Sequence, residues 1–521
     1  MIQWSKLFNN NRRGDFLTRE DIIEFLQELN EKQTETISIE VKSAKGGVPG
    51  KFYDTISSFS NTLGGVILFG VEEIKKKGKT TFEVVGVKDV NELQKNITNL
   101  CSKEFEPVIR PEINIIEIDN KNIVAVRIEM LNARFKPCYY KPKGLHKGSY
   151  IRVGDRDDNM TEYEIYKCIS YKENVKDDLK PVTRATIKDL DENLINKFII
   201  NTKIDKPKFA EFSDEEILLQ YGVLTQVEDK IFPTVAGIMV FGIYPQKFFP
   251  QWFVASIVIP GFEVSNLGKI GQRFDDNKRI EGNISEMYQE MIGFISRNMK
   301  VKVIISDKTG LRTDITQYPM DALREAIANM IIHRDYSELK TGVYSMLTIY
   351  KDRIEFRNVG NLYGSNTIEL LKTRKAMEVR NETIVKLLET LGGIIENRHT
   401  GISTMEEKMK EAKLPEPIFT NEREDFVVTF YNGEYPELYP EELKGYKKIK
   451  TNEKTSDKTS DNASDKILKY LKQNEYITTN IASELLELSI QRARAILAKM
   501  AKDKLVIAKG ANKNRKYIIN K

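Results

Sequence analysis

Residues 451–466 read TNEKTSDKTSDNASDK, an imperfect repeat of Lys-Thr-Ser-Asp in which Ala463 is the one apolar residue. Such a run has too little apolar surface to offset the entropy of ordering it, which predicts a flexible linker. It argues against a single core running through the chain. A softer boundary lies near Asn174–Lys188, where charged residues and Pro181 separate two regions of apolar periodicity. The reading is α+β and multidomain, with units over 1–175 and 185–445, a linker over 446–466 and a last unit over 467–521. A chain of 521 residues is long enough for three such units.

Charge follows the same divisions. Residues 467–521 hold twelve Lys/Arg against four Asp/Glu, whereas the rest of the chain holds 69 against 72. The basic excess therefore lies in the last tenth of the chain, and a localised positive surface attracts polyanions. The same unit has the pattern of a winged helix-turn-helix. A helix starts over Asp465–Leu471, and Ile477-Thr-Thr-Asn480 leads into a second. A third runs from about Ile490 to Asp503 with Ser489 as N-cap. Strands at Leu505–Ala508 and Tyr517–Ile519 flank the basic stretch Lys509–Lys516. On the third helix Ala493, Ile496, Leu497 and Met500 share the face expected to be buried. Gln491, Ala495, Ala498 and Lys502 oppose it, flanked by Arg494 and Lys499. Small alanines between polar groups let a helix sit close in a major groove. Gln491, Arg492, Arg494, Lys499 and Lys502, with Lys513, Arg515 and Lys516 of the hairpin, are the candidate nucleic-acid contacts. A protein-interaction role is the alternative for such a unit.

No apolar run approaches a membrane span, and the first residues lack a secretory pattern, so a cytoplasmic protein with no membrane partner is expected. The three cysteines, Cys101, Cys138 and Cys168, suggest neither a metal pattern nor a disulfide framework. His146, His333 and His399 are likewise scattered, which argues against zinc.

In the first unit Ile37, Ile39 and Val41 alternate with Ser38, Glu40 and Lys42, the period of a half-buried strand. Phe52, Ile56, Phe59 and Leu63 have helical spacing, and Val66–Val71 reads as a buried strand. Ile113–Ile118 and Ile123–Ile128 read as a hairpin around Asp119-Asn120. Glu40 and Lys42 share a strand face. A carboxylate and an ammonium so placed recur where an ion and a phosphate are held together, but solvated strand faces produce the same triplet. Glu35 lies an odd number of residues from Glu40, so it joins them only if the chain bends. Glu72 and Glu73 follow the next strand and are the candidates to complete an acidic group. Lys42, Lys45, Lys51, Arg152 and Arg156 are the alternative, a set that contacts a phosphate backbone without cleaving it.

In the middle unit Glu325, Asn329 and His333 recur every four residues, so on a helix they form one polar stripe, with Leu323, Ile327 and Met330 opposite. A carboxylate, an amide and an imidazole in a row suit a nucleotide phosphate, a divalent ion and an attacking water. The same three also suit a buried hydrogen-bond network.

Longer stretches carry two resemblances. The words ETISIEVKSA, ISSFSNTLGGVILFGVEE, RPEI, KPCYYKPKG and YIRVGDRD cover most of residues 30–165 and resemble the Schlafen AlbA-type domain, also called divergent AAA-4. The resemblance implies an AlbA-type α/β fold that binds nucleic acid. In some relatives it implies a metal-dependent nuclease, for which Glu35, Glu40, Lys42 and Glu72 would be catalytic and Glu40 and Glu73 would hold Mg²⁺ or Mn²⁺. EAIANMIIHRDYS resembles the N box of the GHKL-type ATPases, in the variant related to the C-terminal part of the helicase RecG. PTVAGIMVFGIYPQKFFP before it, and RIEFRNVGNL and RNETIVKLLETLGGIIENRHTGISTM after it, stand in that family's order. The resemblance implies a GHKL-like α/β sandwich that binds ATP and Mg²⁺, with Glu325 as the base and Asn329 as the metal ligand. His333, Asn358, Gly360 and Gly401 would complete the cofactor site. Asn358 stands where the pattern carries an Asp for the adenine amino group, and the glycine-rich lid is reduced to His399-Thr-Gly-Ile-Ser403. Together the two units are arranged as in prokaryotic transcriptional regulators, with DNA as the expected partner, RNA as an alternative and a homo-oligomer as the expected state. The competing readings are a Schlafen-like defence nuclease and an inactive oligomeric scaffold.

Overall fold

The computed structural model describes residues 17–45, 49, 52–76, 78–305, 312–375, 378–394, 401–440, 443, 463–486, 490–502, 505–510 and 515–520. The chain forms two compact units, Met1–Val175 and Lys176–Lys521. Both mix helices with sheets, an α+β multidomain architecture.

The first unit is built on a four-stranded sheet. Its strands are β1 (Ile39–Lys42), β2 (Gly65–Phe69), β5 (Glu112–Ile118) and β6 (Lys121–Ile128), in the order β1-β2-β6-β5. β1 runs parallel to β2, with Glu40 opposite Ile67, and the other pairs are antiparallel. The helix α2 (Tyr53–Asn61) is the crossover that a parallel pair requires. The expected hairpin forms at Asp119 and Asn120, both with positive φ, as a tight primed turn demands. The stretch 66–71, expected as one strand, breaks at Gly70 (φ +92). β2 ends before it, and Val71–Lys76 becomes β3, paired with β4 (Lys79–Val84).

Apolar packing covers both faces of this sheet. Ile39, Val41, Val66 and Leu68 join Ile22, Phe25 and Leu29 of α1 (Arg19–Lys32) in one core. Ile67, Phe69, Val124 and Val126 join Ile56 and Phe59 of α2, and Leu93 and Ile97 of α3 (Val90–Lys103), in another. β1 is therefore not the half-buried strand that its alternation predicts: Glu40 is as deeply buried as its apolar neighbours. The hairpin β7 (Tyr150–Val153) and β8 (Arg156–Asn159) packs against α2 and brings Arg152 and Asp157 to it.

The second unit centres on a six-stranded sheet of β9 (Val254–Val258), β10 (Asp276–Ile280), β11 (Ser345–Ile349), β12 (Arg353–Val359), β13 (Ile418–Asn421) and β14 (Asp425–Tyr431). The order is β10-β9-β11-β12-β14-β13, and only the β9–β11 pair is parallel. The helix α4 (Ile284–Asn298) packs on β9 and β10, and α5 (Met320–Ile332) on β12 and α4. Leu323, Ile327 and Met330 of α5 are buried as expected, and so are Ala322, Ala326, Ile331 and Ile332, because α7 (Gly401–Glu411) covers a further side. Between them α6 (Glu382–Leu391) begins at Asn381, whose Nδ2 donates to the Ile332 and Arg334 carbonyls at 2.7 and 2.8 Å. One amide thus closes the C-terminal end of α5 at the start of α6.

The last elements run helix, strand, helix, helix, strand, strand: α8 (Ala463–Gln473), β15 (Ile477–Thr478), α9 (Thr479–Leu486), α10 (Ile490–Lys502), β16 (Val506–Lys509) and β17 (Lys516–Ile519). The sheet order is β15-β17-β16. α8 starts at Ala463 and takes the last four residues of the expected linker, whose other residues, 446–462, lie outside the described ones. Phe262 and Leu438 join the core made by Ile467, Leu471, Leu497 and Tyr517.

Candidate functional site

In the first unit the E-x-K pair of β1 forms as expected, with Lys42 Nζ 2.5 Å from Glu40 Oε1. The other carboxylate oxygen of Glu40 is taken by Arg152 Nη2 at 2.8 Å. Arg152, expected on the surface facing a phosphate, is the buried centre of the group. Its Nη1 pairs with Asp157 Oδ1 at 3.0 Å, and its Nη2 also donates to the Thr36 carbonyl at 3.0 Å. Asp157 accepts further from Thr55 Oγ1 at 2.8 Å and from Ser58 Oγ. The chain bends after Glu35, whose Oε1 accepts from the Val41 N–H at 2.9 Å, so Glu35 does reach Glu40. Burial, and then the Glu40 carboxylate, push Glu35 up to about 8. Two carboxylates thus share one buried place. The acidic group goes no further: Glu72 pairs with Lys45 at 2.6 Å and Glu73 with Lys75 at 3.0 Å. Among the described residues no three His, Cys, Asp or Glu side chains gather as metal ligands. Arg156 is exposed, and Lys51 lies outside the described residues.

In the second unit Glu325 and Asn329 meet on α5, with Asn329 Nδ2 donating to Glu325 Oε1 at 3.0 Å. Burial raises the Glu325 carboxyl above the ordinary range, and the Asn329 N–H opposes that rise. His333 stands at the end of that stripe, its N–H donating to the Asn329 carbonyl at 3.1 Å. The helix ends at Ile332 and His333 is its C-cap, where burial and then the Arg380 guanidinium push it down to about 4. It is therefore neutral at physiological pH, unlike a phosphate-binding cation. Gly401 opens α7 directly over the Glu325–Asn329 pair. A Cβ on Gly401 would stand 2.7 Å from Glu325 Oε1 and 3.0 Å from Asn329 Nδ2, so α7 begins in direct contact with the pair. The N-terminal end of a helix favours an anion. His399 and the rest of 395–400 lie outside the described residues.

Asn358 lies near the end of β12, 7 % exposed, and its Oδ1 has no hydrogen-bond partner among the described residues. A buried acceptor left unpaired costs about 1–3 kcal/mol, so the position calls for a donor. Gly360, with φ +95, ends the strand beside Arg380. Arg380 Nη1 lies 3.1 Å from Asp335 Oδ2, and its Nη2 donates to the Asn361 carbonyl at 2.7 Å. Sequence reasoning passed over Arg380, Asn381 and Asp335. All three stand in the quoted stretches HRDYS and RNETIV, but nothing in their spacing ties residue 335 to 380.

At the other end of the chain, Ala493, Ile496, Leu497 and Met500 of α10 are buried, whereas Arg494, Ala495 and Ala498 are exposed. Arg515 and Lys516 are exposed, and Lys516 Nζ lies 3.7 Å from the centre of the Tyr476 ring. Lys513, Ser489 and the side chains of Gln491, Arg492, Lys499 and Lys502 lie outside the described residues.

Comparison with known proteins agrees with both resemblances. Residues 23–161 match the Schlafen AlbA_2 family. Residues 342–430 match the family described as putative ATP-dependent DNA helicase recG C-terminal. Residues 167–255 match a domain of unknown function. The recG-type match includes Asn358, Gly360 and Gly401 but not Glu325, Asn329 or His333. No curated protein gives a significant match. Among solved structures, the DIP2311 protein from Corynebacterium diphtheriae is 17 % identical, with 95 % of this chain and 96 % of that one covered at a TM-score of 0.36. The N-terminal domain of a putative ATP-dependent DNA helicase RecG-related protein from Nitrosomonas europaea is 28 % identical. There 26 % of this chain and 92 % of that one are covered, at a TM-score of 0.23. The chain thus combines a nucleic-acid-associated family with an ATPase-like one. No described helix is long and apolar enough to cross a membrane.

Proposed function

We propose that this is a DNA-binding transcriptional regulator of the prokaryotic cytoplasm, with a GHKL-like middle region that senses a nucleotide. The observation that carries the DNA part is the exposed face of α10. Arg494 stands there between alanines, on a third helix set before a two-stranded wing, as a winged helix presents its recognition helix.

The nucleotide part rests on the fit of the residues to the group. ATP–Mg²⁺ would bring a donor to Asn358 Oδ1 through its base amino group and anionic oxygens to the first turn of α7. Asn329, whose Nδ2 is committed to Glu325, keeps its Oδ1 for the metal. Glu325, held at a raised pKa by burial, is placed to orient or deprotonate a water. Binding is favoured over cleavage, because three of the four carboxylates expected for nuclease chemistry are held in ion pairs, Glu40 by Lys42 and Arg152, Glu72 by Lys45 and Glu73 by Lys75.

Gel-shift titration tests the reading. The full chain should bind duplex DNA with an affinity that falls steeply with salt, at a log–log slope of about −0.9 per neutralised phosphate. A chain ending before Ala463 should lose at least about tenfold in affinity, since most phosphate contacts go with it. Equal affinity of the two would refute the assignment.

A further inference from the structure

The polar groups at the end of β12 bear on which nucleotide the middle region takes. Asn358 and Arg380 both present buried polar atoms there: Asn358 Oδ1 and Arg380 Nη1 have no hydrogen-bond partner among the described residues. Gly360, two residues beyond Asn358, is where Arg380 meets the strand. A Cβ on Gly360 would lie 2.1 Å from Arg380 Nη1, so only the bare backbone lets the guanidinium close against the strand two residues beyond Asn358. Asp335 Oδ2, 3.1 Å away, neutralises its charge.

We propose that this pair reads the purine base, and that the site therefore takes GTP as well as ATP. The inference rests on the nucleotide-sensing reading above and narrows it. A carboxylate at position 358 would only accept hydrogen bonds, favouring the adenine amino group and repelling the guanine O6. An amide presents either edge: its oxygen accepts from an adenine amino group, and after a half-turn its NH₂ donates to the guanine O6. No bond to Asn358 Oδ1 among the described residues holds the amide in one orientation. A guanidinium only donates, and guanine offers two acceptors, O6 and N7, on one edge. Arg380 thus adds a donor that suits guanine at least as well as adenine.

Displacement of a fluorescent nucleotide from the full-length protein, by ATP–Mg²⁺ and by GTP–Mg²⁺, tests the proposal. The two affinities should lie within about tenfold of one another, the span of one hydrogen bond. Asn358→Asp should keep ATP and weaken GTP by at least about tenfold, as a buried carboxylate meets O6. Arg380→Gln should weaken GTP more than ATP. Unaltered protein that prefers ATP by more than about a hundredfold overturns the proposal and leaves the nucleotide reading standing. Binding of neither nucleotide overturns both. If Asn358→Asp does not fold, the ratio for the unaltered protein decides alone.

Discussion

Two buried polar groups of this chain differ in how completely they answer their own needs. Around Arg152 nearly every demand is met from within: Glu40 has Lys42 and Arg152, and Asp157 has Arg152, Thr55 and Ser58. Arg152 Nε alone of that guanidinium lacks a partner among the described residues. Around α5 the demands are met less fully: Asn358 Oδ1 has no partner among the described residues, Arg380 Nη1 has the Asp335 carboxylate at 3.1 Å but no aligned hydrogen bond, and Asn329 supplies the described hydrogen bond to Glu325. Buried polar atoms cost free energy unless paired, so a closed group is explained by the fold and an open one points outside it. Identical residue types thus support a structural reading in one unit and a ligand in the other.

The sharpest way to break this contrast is to open the closed group. Arg152→Met should leave Glu40 and Asp157 facing each other without their common cation. Breaking a buried pair from one side costs about 3–5 kcal/mol, so chemical denaturation should show the first unit unfolding at markedly lower denaturant. A loss under about 1 kcal/mol would mean that the group is hydrated and carries little of the fold.

A smaller effect is expected from crowding the open group. Gly360→Ala must adopt φ near +95 and place a methyl 2.1 Å from Arg380 Nη1 and 2.7 Å from Asp335 Cβ. We expect about 1–3 kcal/mol of destabilisation, combining left-handed backbone strain with displacement of the ion pair. Nucleotide affinity should fall by more than that stability change explains, which separates a site residue from a merely tight turn. A variant with full affinity would place the ligand elsewhere.

The contrast was only partly legible in the sequence. Periodicity placed the buried face of α10 and the pair Glu325–Asn329, because helical neighbours four residues apart meet whatever surrounds them. It does not show that His333 falls at the helix end, where Asn381, 48 residues later, donates to the Ile332 and Arg334 carbonyls. It also misjudged Arg152. Alternation marks which face of β1 each residue takes, but not that a hairpin from residues 150–159 covers the polar one. The Glu72–Glu73 grouping failed for a local reason: the break at Gly70 sends β3 off to pair with β4, where each carboxylate finds its own lysine. Partners supplied by distant segments leave no local pattern to read.

The mildest test uses protons and stays inside the closed group. Glu35 faces Glu40 and the Val41 N–H, with Lys42, Arg152, Asp54 and Asp157 as the other charges of the cluster. Its carboxyl is raised to about 8 from an ordinary 4.5, by burial first and Glu40 second. Between those values the folded state holds a proton that the unfolded state has lost. The contribution to stability is therefore complete below an unfolded pKa of about 4.5 and disappears as pH rises through about 8. Asp54, also raised by burial, acts in the same direction. Glu35→Gln keeps an oxygen for the Val41 N–H and removes the titration. The melting temperature of the unaltered protein should decline from neutral to mildly alkaline pH, and that decline should be shallower in Glu35→Gln. Parallel curves would show that Glu35 loses its proton without cost, and hence that water reaches a group whose closure the first half of the comparison depends on.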